Sequence, residues 1–270
     1  MTRAIVISVV LAAGLLAACG EPAQEVPAQA PSAQQAPPPR DSVTAIMERA
    51  RRVHGADVLD HAEVSFSFRG TPFTVRHDGG AFEYARIGAD SGDVVRDVLD
   101  NDGFRRTVGG RPVTLPEAEA RAAEGAVNSV VYFALLPYPL ADPAVQSRLV
   151  GADTLGGEPY RLVEVTFQPE GGGRDYQDRF LYWIHRDRYM IDYLAYSYDV
   201  NDGGIRFREA FNPRTVGGVR FADYRNYAPE TLEPELESLG RMFEADSLAL
   251  VSEIVLDSVR VAPLRRGDGS

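Results

Sequence analysis

Residues 64–84 read VSFSFRGTPFTVRHDGGAFEY. Val64, Phe66 and Phe68 alternate with Ser65, Ser67 and Arg69, and Phe73, Val75 and His77 alternate with Thr74, Arg76 and Asp78. A period of two is that of a strand with one face buried. Asp78-Gly79-Gly80 between them and Phe82 is a hairpin turn signal, and Phe82 and Tyr84 carry the alternation on. The same grammar returns at Val94–Leu99, Asn101-Asp102-Gly103 and Phe104–Val108. Consecutive hairpins of this kind make an antiparallel meander.

Outward from that stretch the periodicity changes. Asp41–His54 predicts a helix, with Val43, Ile46, Met47, Ala50 and Val53 on one face, a cap at Asp41 or Ser42 and a stop at Gly55. Pro116 opens a second helix, PEAEARAAEGAVNSVVYFALL. Its acidic start suits a helix N-terminus and its apolar second half, Val127–Leu136, has to be buried. Pro137, Pro139 and Pro143 end it. Strands are then predicted at Tyr160–Phe167, Asp178–His185, Tyr189–Tyr198, Ile205–Phe211 and Val219–Tyr227, a short helix near Pro234–Phe243, and a last strand over Leu248–Val261. Arg-Thr-Val-Gly-Gly occurs at both 106–110 and 214–218, which reads as one good hairpin ending used twice.

The 48 residues from Phe180 to Tyr227 hold 12 of the chain's 25 aromatics. Phe180-Leu181-Tyr182-Trp183-Ile184 is apolar on both faces, so that sheet is covered on both sides or lines an apolar pocket. Tyrosine fits half-wet walls, because its hydroxyl needs a partner.

Composition excludes more than it assigns. The net charge of −11, from 28 basic residues that are all Arg against 39 acidic ones, is the wrong sign for a nucleic-acid binder. One Cys excludes a disulfide scaffold and a thiolate-rich zinc site. The sequence shows no nucleophile elbow, zinc-protease motif or phosphate loop. His54, His61, His77 and His185 have no ligand spacing, and Asp100–Gly103 and Asp199–Gly204 fail the calcium-loop pattern and read as tight turns. No catalytic residue, metal or cofactor is expected. A hydrolase with an acidic site that no motif announces is the minor alternative.

Arg3 precedes an apolar run, Ala4–Ala18, too short to span a membrane comfortably. It reads as a signal peptide over residues 1–18. Leu16-Ala17-Ala18-Cys19 resembles the bacterial lipobox, which implies lipidation of Cys19. Gly20 follows, where an Asp would imply inner-membrane retention, so the outer membrane is the expected destination. Residues 20–40, rich in Pro, Ala and Gln, bury too little to fold and act as a tether. A single domain over 41–263 and a flexible tail at 264–270 complete the expected organisation.

One order of parts now stands out. A capped helix ends in His54-Gly55 and leads into Val64–Phe68. Trp183-Ile184 is followed by a short turn and a strand from Tyr189, then by Gly217-Gly218-Val219 and Phe221-Ala222-Asp223-Tyr224. Over residues 41–262 this resembles the lipoprotein-carrier superfamily, with its LolA/LolB-like fold, and its relatives among outer-membrane lipoprotein-sorting proteins. The resemblance implies a mainly β (α+β) protein: a curved, unclosed antiparallel β-barrel with helices covering its concave face. It also implies an apolar cavity that accepts acyl chains. The wall residues expected on this basis are Phe66, Phe68, Phe73, Phe82, Trp183, Tyr193 and Phe207, with Tyr132 and Phe133 from the covering helix. Leu135–Leu140 is the candidate lid or exposed tip. The expected partners are a lipid or acyl-chain ligand, the membrane through the Cys19 anchor, and an envelope protein, with no nucleic acid. The expected location is the periplasmic face of the outer membrane. An anchored protein cannot shuttle, so an acceptor or sensor is expected. The other reading is an interaction subunit of an envelope complex with a filled core.

Overall fold

Ser42 Oγ accepts a hydrogen bond from the Ala45 N–H at 3.2 Å and so starts helix α1, Val43–Val53. Ile46, Met47 and Ala50 form its buried stripe. Gly55 ends it in the left-handed region, φ 92°. A Cβ there would lie 2.3 Å from the Gly218 carbonyl oxygen, so only glycine lets the helix end dock against that turn. A second short helix, α2 (Ala56–Leu59), follows; its four residues are too few to show a period in sequence.

The computed structural model describes residues 42–171, 176–199 and 203–264, which fall in one compact unit. The leader, Cys19, the tether and the tail from 265 onward lie outside the described residues. Six strands make the first meander: β1 His61–Phe68, β2 Thr71–Asp78, β3 Ala81–Asp90, β4 Asp93–Asp100, β5 Gly103–Val108 and β6 Arg111–Val113. Helix α3, Glu117–Ala134, and a 3-10 turn at Tyr138–Ala141 lead to the second: β7 Val145–Leu155, β8 Glu158–Phe167, β9 Arg179–His185, β10 Ile191–Tyr198, β11 Gly204–Val216 and β12 Val219–Ala228. A 3-10 turn at Leu236–Ser238, helix α4 (Leu239–Glu244), β13 (Ala249–Ile254) and β14 (Leu256–Pro263) complete the chain.

The single last strand expected over 248–261 is two strands. β13 pairs with β12, and β14, after a break at Val255, pairs with β1. The result is two antiparallel seven-stranded sheets, ordered β14-β1-β2-β3-β4-β5-β6 and β13-β12-β11-β10-β9-β8-β7. The chain steps from one sheet to the other between β13 and β14, and β6 and β7 are the far edges. The sheets do not close into a barrel. β7 carries no signal in the sequence, because it is an edge strand, largely exposed, with no apolar alternation to mark it. The two Arg-Thr-Val-Gly-Gly copies end β5 and β11; Gly109-Gly110 and Gly217-Gly218 all have positive φ, as a tight two-residue hairpin requires.

Three apolar clusters hold these layers. The first sets Ile46, Met47 and Ala50 of α1 on Val163, Val165, Phe180, Tyr182 and Leu194 of the second sheet. The next joins Val131 and Leu135 to Val64, Phe66, Phe73 and Val75 of the first sheet. The last lies on the opposite side of the second sheet, where Leu236 and Leu239 cover Leu181, Trp183 and Phe207. The second sheet is therefore covered on both faces.

Candidate functional site

Between the sheets lies a cavity of about 1090 Å³. Ligand pockets run to about 300–1,000 Å³, so this one is large. Phe68, Phe82, Tyr84 and Leu99 bring the first sheet to it, Phe167, Phe180, Tyr196, Tyr198 and Tyr224 the second, and Val130, Tyr132 and Phe133 the end of α3. Phe180 stacks on Tyr196 at 5.4 Å between ring centroids, and Phe133 leans on Tyr196 at 5.2 Å. The Tyr132 and Tyr182 hydroxyls lie 3.1 Å apart, so the hydroxyl that Tyr132 brings to the wall finds its partner in the buried Tyr182 behind it.

Of the nine wall residues expected from sequence, Phe68, Phe82, Tyr132 and Phe133 line this cavity. Phe66 and Phe73 do not. They stack on each other at 5.4 Å within the closed cluster under α3. Trp183, Tyr193 and Phe207 lie on the other face of the second sheet, packed together beside α4. With both faces of that sheet apolar, alternation does not say which one faces inward. Leu135, Leu136 and Leu140 of the proposed lid are buried in the clusters, while Tyr138 and Pro139 reach the cavity.

Sequence reasoning missed three buried polar residues of the wall, His77, Arg208 and Asn226. Each is buried, and among the described residues the buried side-chain nitrogens and oxygens without a partner are His77 Nδ1, Arg208 Nε and Asn226 Oδ1. All three belong to the cavity wall. Buried polar groups are normally satisfied, so this coincidence marks the cavity as a place where something polar is still to be met.

The remaining buried charges are satisfied. Asp97 takes Arg86 at 2.5 Å and Arg106 at 2.5 Å. Burial pushes its carboxyl up, and the hydrogen bonds from the two arginines outweigh that and hold it below the usual carboxylate range. Asp223 is held by Arg214 at 3.0 Å and by the Leu256 N–H at 3.0 Å, which fixes the step from β13 to β14.

His54 Nδ1 donates to the Ala50 carbonyl at 2.7 Å and its Nε2 faces the Ile191 N–H and Arg220. Burial, helped by the charge of Arg220, lowers its pKa to about 4. His77 Nε2 lies 3.0 Å from the Tyr84 hydroxyl, and burial, opposed by the charge of Asp60, lowers its pKa to about 4 as well. Both rings are neutral in the fold and take up a proton near pH 6.5 once unfolded. Their contribution is thus fully present above pH 6.5 and is lost as the pH falls from 6.5 towards 4. About 2–3 kcal/mol per histidine should disappear between pH 7 and pH 4.5. Urea unfolding at the two pH values reads the loss, and His77→Gln should remove its share of the slope. A flat profile would contradict these environments.

A family of unknown function, DUF6503, matches residues 42–255. The chain belongs to DUF6503. No curated protein matches this DUF6503 chain. Among solved structures it is similar to a LolA superfamily protein from Nitrosomonas europaea, at 10% identity, TM-score 0.45, covering 82% of this chain and 93% of that one. It is similar to a DUF1329 family protein from Desulfovibrio piger at 14% identity, TM-score 0.40, covering 81% and 92%. It is also similar to a domain assigned by name to outer membrane lipoprotein sorting, from Vibrio parahaemolyticus, at 8% identity, TM-score 0.42, covering 82% and 92%. These likenesses concern the fold.

Proposed function

We propose that this protein is a non-enzymatic lipid-binding lipoprotein that takes an acyl chain, from a lipid or an acylated protein, into the cavity between its two sheets. The cavity carries the reading: a volume of about 1090 Å³ whose wall is largely phenylalanine, tyrosine and aliphatic side chains, with charged residues such as Arg51, Asp60, Glu124 and Asp178 also on it. Apolar volume of this kind gains about 0.8 kcal/mol for each methylene it removes from water. In this reading Cys19 carries the lipid anchor and holds the domain at the periplasmic face of the outer membrane. The 21-residue tether over 20–40 joins that anchor to the domain. An anchored binder of this kind is an acceptor or a sensor. The open volume favours it over an interaction subunit with a filled core.

The test is uptake of a fluorescent fatty-acid probe by the chain from Asp41 onward, which contains every described element and its own core. Saturable uptake near one probe per protein is expected. No uptake by folded protein would overturn the proposal.

A further inference from the structure

Arg208 is the one arginine among the described residues that is buried, at 7% exposure. Its partners there are a hydroxyl and two aromatic faces. Nη2 donates to the Tyr196 hydroxyl at 2.8 Å. The guanidinium carbon lies 3.8 Å from the centre of the Phe133 ring and 5.1 Å from that of Tyr196. Nε has no partner. Elsewhere the protein treats half-buried arginines differently: Arg86, Arg106, Arg179, Arg214 and Arg220 all sit on carboxylates. A buried cation without an anion is costly, and a folded protein keeps one where something else supplies the charge.

Its neighbour on the next strand is a second buried polar side chain. Arg208 of β11 is the register partner of Asn226 of β12, and both side chains line the cavity. Asn226 is 8% exposed. Its Nδ2 donates to Ser252 Oγ at 3.4 Å and its Oδ1 has no partner. A half-turn of the amide exchanges the two atoms. Oδ1 then accepts from the Ser252 hydroxyl, and Nδ2 becomes a free donor on the residue that pairs with Arg208. Two free donors on paired residues of one cavity wall, one of them charged, make a seat for an anionic oxygen group.

We propose that Arg208 and Asn226 form the head-group subsite of the cavity, so that its ligand is an amphiphile with an anionic oxygen head, a carboxylate or a phosphate, on an acyl tail. This rests on the lipid-binding reading above and adds the polarity of the ligand to it. The tail runs along Phe167, Phe180 and Tyr198 on the same sheet, and Phe133 of α3 closes over the guanidinium.

The test compares three ligands with one tail, palmitate, hexadecyl phosphate and 1-hexadecanol, by displacement of the fluorescent probe from the chain starting at Asp41. At least one anion should bind about tenfold more tightly than the alcohol, as a charge-assisted hydrogen bond allows. Which anion wins separates a carboxylate lipid from a phosphate lipid, and inorganic phosphate alone should not displace the probe. Arg208→Met should abolish the preference. It should not lower Tm, because it removes an unpaired buried charge. Arg208→Lys, which keeps the charge, should retain part of the preference and serves if the methionine variant does not fold. Equal binding of all three ligands to the unaltered protein, or a preference that survives Arg208→Met, would overturn the subsite and leave the lipid reading standing. Failure of every ligand to bind would overturn both.

Discussion

Trp183→Ala is expected to lower stability by about 3–5 kcal/mol and to leave the ligand affinity of the folded fraction within twofold. Trp183 is fully buried, its indole N–H donates to Asp153 at 2.9 Å, and its ring meets Phe207 edge-on at 5.5 Å. Gly240 of α4 approaches so closely that a Cβ there would lie 3.2 Å from the ring. Truncation leaves a hole beneath α4 and an unsatisfied Asp153. None of this faces the ligand volume. Denaturant unfolding with probe binding on the same samples measures both quantities. A variant that keeps its stability and loses binding would put Trp183 in the cavity wall after all.

The converse holds for Leu99→Trp combined with Ser129→Trp. Both residues line the cavity, one from β4 and one from α3, and neither is buried in a cluster. The two indoles take up space meant for the tail. Displacing about four methylenes forfeits about 3 kcal/mol, which is more than a hundredfold in affinity. Tm should change by only a few degrees, because no packed group is removed. Unaltered probe affinity in this variant would mean that the probe binds elsewhere.

Only part of this structure is legible in the sequence. The first meander is legible from Val64 to Val108, because its strands alternate and its turns carry Asp-Gly and Gly-Gly pairs. Helix α1 is legible down to its Ser42 cap. The edge strand β7 and the switch of sheets at Val255 are not, since an exposed edge has no apolar period and one residue of irregular backbone leaves no composition signal. The cavity wall was half legible. On the first sheet Phe68 and Phe82 follow from period two, and Phe66 and Phe73 fail only because α3 packs down on them. On the second sheet the pattern misleads. Ile205-Arg206-Phe207-Arg208 reads as phenylalanine inward and arginine outward, yet Phe207 is under α4 and Arg208 is in the cavity. A sheet buried on both faces can place its charges on either, and a ligand site is where a charge on the inner one makes sense.

The most direct measurement of the central claim is native mass spectrometry with lipid extraction, on the chain from Asp41 onward expressed in a bacterial periplasm and purified without refolding. A co-purifying acyl-chain ligand, present in near-stoichiometric amount, is the predicted result. A clean ligand-free mass that persists after incubation with phospholipid vesicles and palmitate would contradict it.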